Sequence, residues 1–169
     1  PIGVFALLAG LIVDLAGDDP NNIITTLTPL LYYALTVIIG LAFMVFIFYP
    51  FIIYSITGIT FRKFLKAIFP AQMLAFSTSS SAATLPLTMK RVEKNLNVSD
   101  EVTSFVCPLG ATINMDGTSI HQAISAVFIA QAFGQDLTLV DQLAIVLTAT
   151  LSSIGAAAVP GAGLIMLVI

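Results

Sequence analysis

The stretch STSSSAATLP, residues 77–86, lies at the centre of a run without charged residues that extends from Ala67 to Met89. At about 1.5 Å per residue, this run is long enough to cross the roughly 30 Å hydrocarbon core of a bilayer. However, consecutive hydroxyl residues and Pro86 at its centre would expose polar groups to lipid, and non-helical backbone is tolerated at that depth only when it is buried in protein or lines a cavity. The pattern therefore predicts a re-entrant helical hairpin over residues 67–89, which turns at the serines and leaves on the side that it entered.

The composition excludes an ordinary soluble protein. Charged residues make up 9% of the 169 residues, hydrophobic residues make up 58%, and the mean hydropathy is +1.04. Soluble domains carry roughly 25% charged residues, so the chain is predicted to be an all-α membrane protein. Its few basic residues form no stripe that would bind nucleic acid. The single cysteine, Cys107, excludes an internal disulfide, and the single histidine, His121, excludes a multi-histidine metal site.

Charge-free runs predict the other membrane segments. Residues 1–17 are the end of a span, residues 21–60 form one long span, residues 102–135 form a span with a single charge, and residues 142–169 form the last segment. Both ends of the chain are apolar, so we expect a fragment of a longer, multi-pass protein of the cell membrane. The tyrosines expected to anchor the long span at the membrane interfaces are Tyr32, Tyr33, Tyr49 and Tyr54.

The last segment resembles the first hairpin. Its centre reads SSIGAAAVPGAG, and SSSAATLP (79–86) set against SIGAAAVP (153–160) is identical at four of eight positions. All six Lys and Arg residues fall between Arg62 and Lys94, so the positive-inside rule places the mouth of the first hairpin in the cytoplasm and that of the second outside. Two oppositely oriented re-entrant hairpins form an inverted repeat, which in transporters points to a midplane binding site. The alternative is that the small residues serve only close helix packing.

The string GATINMDGT, residues 110–118, carries the chemistry of the membrane centre. A bare charge there costs roughly 2.5–3.5 kcal/mol or more, so Asp116 needs a cation from solution or a basic residue outside this chain. On a regular helix Asn114 and Asp116 point about 200° apart, so both face one site only if the helix unwinds. Unwound carbonyls, the amide, the carboxylate and hydroxyls are hard oxygen ligands that suit Na⁺. The alternative is a hydrogen-bonded polar cluster without an ion.

These motifs resemble one family. SSSAATLP with TMKRVE, PLGATINMDGT, FIAQ and SSIGAAAVPGAG are similar, in order and spacing, to the transport core of the dicarboxylate/amino acid:cation symporters, and PIGVFALLAG at the start also matches. The resemblance implies a homotrimeric, Na⁺-coupled transporter in the bilayer that carries an amino acid or dicarboxylate by an elevator movement. Aspartate or glutamate is favoured, and a neutral amino acid stays open, because the family's final helix and most of its scaffold are absent from this sequence.

The resemblance also implies two sets of site residues. The substrate set joins the first hairpin tip, the helix break and the second hairpin tip, and its members are Ser79, Ser80, Ser81, Met115, Thr118, Val159, Pro160, Gly161, Ala162 and Gly163. The Na⁺ set joins the helix break to the first arm of the second hairpin, and its members are Gly110, Thr112, Asn114, Met115, Asp116, Ser153, Ile154 and Ala156.

Two other classes of protein fit the sequence less well than a symporter. An intramembrane aspartyl protease needs two deep carboxylates, and only Asp116 is deep; a serine protease needs a nucleophile elbow that the serine cluster lacks. A passive channel would need ligands repeated around a symmetry axis, whereas two hairpins of opposite topology favour alternating access. The chain is therefore predicted not to be an enzyme. Several proton-coupled relatives carry Glu six residues after the motif's Asp, where this chain has Gln122, so no obligatory proton cotransport is expected.

Overall fold

The regular structure is helical throughout the part of the chain that the computed structural model describes, which comprises Gly10 and residues 21–156, 158–159 and 161–163. This confirms the all-helical class predicted from composition. In chain order the elements are α1 (Asn21–Phe43), a π-helical segment (Met44–Phe48), α2 (Tyr49–Thr57), α3 (Phe61–Thr78), α4 (Ser81–Leu96), α5 (Asp100–Ile113), α6 (Asp116–Ala132) and α7 (Leu139–Gly155).

The chain divides into two compact units, Pro1–Ile39 and Gly40–Ile169. The helix that begins with α1 continues through the π-helical segment into α2, and its portion Leu27–Thr57 is 31 residues long with a mean hydropathy of 2.5. By length and composition it could cross a membrane, as predicted for residues 21–60. It ends at Gly58, whose left-handed φ of 68° is open to glycine without strain and whose N–H donates to the Tyr54 carbonyl.

The first hairpin consists of α3 and α4, with its tip at Ser79 and Ser80. Ser79 adopts a left-handed φ of 49°, which reverses the chain after α3, and Ser80 caps α4 by accepting a hydrogen bond from the Ala83 N–H at 3.3 Å. Near the other end of the hairpin, Arg91 Nε donates to the Ala67 carbonyl at 2.8 Å. The tip falls within the serine run, whereas the helices extend beyond the predicted range of 67–89. The course of this hairpin within a membrane stays a prediction.

Small residues make the interior of the described part of the chain. The apolar residues buried there are all alanines, whereas large side chains such as Phe76 and Ile56 are 85% and 79% exposed. Small residues let helices approach closely: at Gly40, a Cβ atom would stand 3.2 Å from Ile120 Cγ2 of α6. Large apolar side chains on the outside are what a lipid-facing or protein-covered surface requires.

The second predicted hairpin is described only in part. A capping box of Thr138 and Asp141 begins α7, and the helix ends at Gly155 before the extended residue Ala156. The chain then turns through Gly161, which has a left-handed φ of 82°. Several predicted features fall outside the described residues: the span end at 1–17, with the exception of Gly10, and Ala157, Pro160 and residues 164–169 of the second hairpin.

Candidate functional site

The helix that carries the NMDGT motif is broken at the motif. Helix α5 ends at Ile113 and α6 begins at Asp116, and Asn114 (φ −90°, ψ 80°) and Met115 (φ −111°, ψ 54°) between them leave the helical conformation. The break turns the Asn114 amide towards the Asp116 carboxylate. With its nitrogen facing the carboxylate, the amide donates to Asp116 Oδ1 at 2.7 Å, and it lies 3.3 Å from Oδ2. The two side chains thus meet, which a continuous helix would prevent.

Tyr49 is the second hydrogen-bond partner of Asp116. Its hydroxyl donates to Asp116 Oδ2 at 2.5 Å. The interfacial position of Tyr49 stays a prediction, and the structure adds that its hydroxyl bonds a carboxylate at the helix break. The expectation that a cation or a basic residue must compensate Asp116 changes: a phenol and an amide supply donors to the carboxylate, although neither carries a balancing positive charge.

A cavity of about 190 Å³ lies between the helix break, the tip of the first hairpin and the described residues 158–159 and 161–163 after α7, which are called the second tip here. The first tip contributes hydroxyls, the break contributes the Met115 and Thr118 side chains, and the second tip contributes small residues. Its lining residues are Ser79, Ser81, Met115, Thr118, Ala158, Val159, Gly161 and Gly163. All of these except Ala158 were predicted as substrate-binding residues from the resemblance.

Direct hydrogen bonds join the two tips. The Ala158 carbonyl accepts from Ser80 Oγ at 3.0 Å and from the Ala82 N–H at 3.4 Å. Ser80, a member of the predicted substrate set, therefore bonds the second tip and caps α4. Of the neighbouring serines, Ser79 and Ser81 line the cavity, so the serine run supplies both tip-to-tip contacts and cavity hydroxyls.

Helix α6 packs closely against the second tip. A Cβ atom added at Gly163 would stand 2.9 Å from Thr118 Cγ2, so only glycine allows this approach. Gln122 is 2% exposed and donates through Nε2 to the Gly163 carbonyl at 3.1 Å. The second tip is thereby held against α6 at two successive turns of that helix.

The structure divides the predicted Na⁺ set. Asn114 and Asp116 form one cluster at the break. Ser153 belongs to another, where its buried hydroxyl accepts from Ser119 Oγ at 2.6 Å and donates to the Thr150 carbonyl at 2.8 Å.

The remaining predicted Na⁺ ligands do not converge on one site. The Thr112 hydroxyl bonds back to the Leu109 carbonyl at 3.0 Å. Gly110 lines a separate cavity of about 270 Å³. Ala156, which is buried, and Ile154, which is 45% exposed, follow Ser153.

The donor chemistry of the site favours a hard cation. Among the residues that the structure describes, no group of three or more His, Cys, Asp and Glu side chains is placed to hold a metal ion. Carboxylate, amide, hydroxyl and carbonyl oxygens are the donors present around Asp116 and Ser153, and such donors suit alkali and alkaline-earth cations better than soft transition metals. These oxygens would fit Na⁺.

A broken helix with a carboxylate at the break, next to a small cavity, is similar to the binding regions of membrane transporters built from discontinuous helices. All of residues 1–169 match the sodium:dicarboxylate symporter family, and the chain belongs to this family. The family is one of membrane transporters, and neither its description nor the names of the relatives below are those of an enzyme.

Curated relatives agree with this assignment. The chain is 42% identical over 169 residues to an excitatory amino acid transporter of Caenorhabditis elegans. The match covers 100% of this chain and 33% of that protein. It is 44% and 42% identical to excitatory amino acid transporter 1 of Ambystoma tigrinum and of Homo sapiens, over 100% of this chain and 30% of each relative. The chain thus spans about a third of the length of the curated relatives it matches.

Sequence reasoning missed two site groups, the Tyr49 hydroxyl and the Ala158 carbonyl. Tyr49 lies 67 positions before Asp116, and nothing in the periodicity of a long apolar helix marks one tyrosine as different from the others. Pro50, directly after Tyr49, was the only local signal, since a proline inside a helix disturbs its hydrogen bonds. The Ala158 carbonyl was missed because every residue has one.

Proposed function

We propose that this chain is the transport core of a Na⁺-coupled symporter for an acidic amino acid or a dicarboxylate, with a neutral amino acid as the alternative substrate. The observation that carries the proposal is the cavity of about 190 Å³ between the helix break and the two tips. It is smaller than the roughly 300–1,000 Å³ of sites for drug-sized ligands, which favours a small solute.

The surroundings of the cavity favour an anionic substrate. The hydroxyls of Ser79, Ser81 and Thr118 offer hydrogen bonds, and α4 begins at Ser81, so the positive end of its dipole lies at the cavity. Half-helix N-termini directed at anionic groups of the substrate are a recurring feature of transporters with broken helices. The relatives named as excitatory amino acid transporters support an amino acid as the substrate.

The mechanism that we propose is alternating access by an elevator movement in a homotrimer that crosses the membrane several times. Asn114 and Asp116 would bind Na⁺ at the helix break, and Ser153, Ile154 and Ala156 would contribute to a further Na⁺ site. The second tip would close over the substrate. The bonds of Ala158 to the first tip and of Gly163 to Gln122 would stabilise this closed position. The two tips would enter the membrane from opposite faces as re-entrant hairpins.

Uptake by the full-length protein in liposomes tests the function. Labelled aspartate, glutamate, succinate, serine and alanine are offered with Na⁺, K⁺ or choline outside. We expect uptake of the acidic substrates with Na⁺ alone. Equal uptake driven by a proton gradient without Na⁺ would contradict the proposed coupling, and preference for serine or alanine would select the alternative substrate.

Two cavity hydroxyls provide the residue-level test. Ser81→Ala and Thr118→Ala each remove a hydrogen bond that the substrate would accept or donate, so the apparent substrate affinity is expected to fall about tenfold, or about 1.4 kcal/mol. Thr148→Val is the control, since the Thr148 hydroxyl bonds the Ala144 carbonyl of its own helix. If all three variants behave alike, the cavity is not the substrate site.

A further inference from the structure

The path of the long helix directs Tyr49 to Asp116. The Tyr49 N–H bonds the Met44 carbonyl five residues earlier, which is the π-helical pattern, in place of the usual partner four residues earlier. An inserted π turn rotates every side chain that follows it. Tyr49 is the first residue of α2 after this segment, and its hydroxyl reaches Asp116 Oδ2. The contact therefore depends on a local departure from α-helical geometry, which is frequent at functional sites.

Both hydrogen bonds use oxygen atoms of Asp116 to which a cation could also bind. Asn114 donates to the carboxylate only while its amide nitrogen faces Asp116. A cation beside Asp116 would instead attract the amide oxygen of Asn114, because a metal ion binds the acceptor end of an amide. The phenol hydrogen of Tyr49 likewise occupies a lone pair of Oδ2 that a cation could use. Phenol and cation thus compete for the same carboxylate.

We infer that Tyr49 is a positioning residue that stabilises the Asp116 carboxylate when no Na⁺ is bound, and so weakens Na⁺ binding and favours the return of the empty transporter. This inference rests on the proposed function, because it takes Asp116 as a Na⁺ ligand. The physical reason is linkage: a group that stabilises only the ion-free state lowers the affinity for the ion by the same free energy. An unpartnered carboxylate in the membrane is costly, so the empty transporter gains most from this hydrogen bond.

Other roles of Tyr49 predict different results. If its oxygen were a Na⁺ ligand, removing it would weaken Na⁺ binding. If its hydroxyl served only to hold α2 against α6, removing it would lower thermal stability and leave the Na⁺ affinity unchanged. Only a hydroxyl that stabilises the ion-free carboxylate gives tighter Na⁺ binding when it is removed.

The test compares Tyr49→Phe with Tyr54→Phe in the full-length protein. Tyr54 lies on the same helix, and its side chain is 61% exposed, so its variant removes the same hydroxyl without touching Asp116. Binding of radioactive Na⁺ to purified protein is expected to show a Kd about tenfold lower for Tyr49→Phe, equivalent to about 1.4 kcal/mol, and an unchanged Kd for Tyr54→Phe.

A second readout follows the empty transporter. In liposomes, exchange of internal for external substrate bypasses the return of the empty protein, whereas net uptake requires it. We expect Tyr49→Phe to slow net uptake about tenfold, because the ion-free state loses the stabilisation that corresponds to the tenfold change in Kd. Exchange should stay within about twofold of the rate of the unmodified protein. Equal slowing of both would overturn the inference. Tyr49→Leu serves the same comparison if the Phe variant does not fold.

Asp116→Asn separates failure of the inference from failure of the proposed function. If Asp116→Asn binds Na⁺ normally, Asp116 is not a Na⁺ ligand and the proposed function loses its ion site. If Asp116→Asn loses Na⁺ binding while Tyr49→Phe has an unchanged or higher Kd, the proposed function stands and the inference about Tyr49 is overturned. In the Asp116→Asn background, Tyr49→Phe is expected to have no further effect on Na⁺ binding.

Discussion

Asp116 is the residue on which the proposed ion coupling depends. It is a half-buried carboxylate held by Tyr49 and Asn114, and both partners can also bond an amide of the same shape. Asp116→Asn should therefore lower Na⁺ affinity by tenfold or more, about 1.4 kcal/mol, while the melting temperature changes little. Na⁺ binding and thermal unfolding of the purified full-length protein measure the two effects. A large loss of stability with normal Na⁺ affinity would reverse the assignment.

Gly163 is the residue whose size is most tightly limited. An added Cβ would stand 2.9 Å from Thr118 Cγ2, and a β-branched side chain such as Thr has few rotamers in which to escape. Gly163→Ala should displace Thr118 from the cavity and weaken substrate binding about tenfold, since overpacking costs about 1–3 kcal/mol.

A double variant tests this cause. Thr118→Ser keeps the hydroxyl and removes the methyl group that the alanine would strike. Substrate affinity in the Gly163→Ala/Thr118→Ser protein should therefore return close to that of Thr118→Ser alone. If the serine gives no recovery, the effect of Gly163→Ala comes from the backbone and not from this contact.

At the scale of elements, the N-terminal turn of α7 depends on one ionised side chain. Asp141 accepts from the Thr138 hydroxyl at 2.6 Å and from the Thr138 N–H at 2.9 Å, and these bonds, the hydroxyl first, hold the pKa of Asp141 below its ordinary value. Because the folded-state pKa is lowered, this stabilisation is present above the unfolded-state pKa and is lost as the pH falls through the folded-state value. Asp141 is exposed and precedes the predicted membrane segment.

Amide hydrogen exchange in the first turn of α7 tests this cap. Protection is expected to fall when the pH drops from neutrality to about 3, below the usual pKa of Asp, after correction for intrinsic exchange rates. In Asp141→Asn, the protection of these amides, corrected in the same way, should not depend on pH over that range. A pH dependence that persists in the variant would assign the effect to another group.

The two hairpin tips should differ in their response to substrate. The first tip is held by local bonds, including Ser80 to Ala83, whereas the second is held mainly by bonds to other elements, through Ala158 and Gly163. Regions with few local contacts open more easily, so the second tip should act as the gate. Hydrogen exchange over 155–163 should slow on substrate binding more than exchange over 77–84. Equal changes in both segments would contradict this prediction.

At the scale of the whole molecule, many of the described large apolar side chains are exposed, and the described buried residues are small except for Gln122. The described buried residues include polar side chains as well as alanines, and the exposed apolar side chains could face lipid or other parts of the protein. Among these buried residues Gln122 is 2% exposed and bonds the second tip. Its amide cannot take up or release a proton.

Transport is therefore expected to proceed without obligatory proton cotransport. The pH inside tight liposomes should stay constant during Na⁺-driven uptake by the full-length protein, with a protonophore as the control. Gln122→Glu places a titratable group at the same position and should make uptake depend on pH. Acidification in step with uptake by the unmodified protein would contradict the prediction, and its loss in His121→Gln would identify the neighbouring histidine as the carrier.

The all-helical class, the tip of the first hairpin and the region of the helix break could be predicted from the sequence, because each depends on local chemistry. A scarcity of charge requires lipid or protein around most residues, a serine run ending in Pro86 disfavours a continuous span, and Asn114 and Asp116 meet only if their helix is interrupted. The lining of the cavity was anticipated largely through the family resemblance, since hydroxyls and glycines alone do not reveal which of them converge.

Only the tertiary structure determined which distant groups meet: Tyr49 with Asp116, Ser80 with Ala158, and Gly163 with Thr118. A hydrogen bond between distant residues depends on the rotation and separation of whole helices, and a single π turn before Tyr49 is enough to change which side chain faces Asp116. Sequence periodicity fixes a side chain's direction only relative to its own helix. The partners of Asp116 were therefore decided by how the helices pack, because packing sets the distances over which hydrogen bonds form.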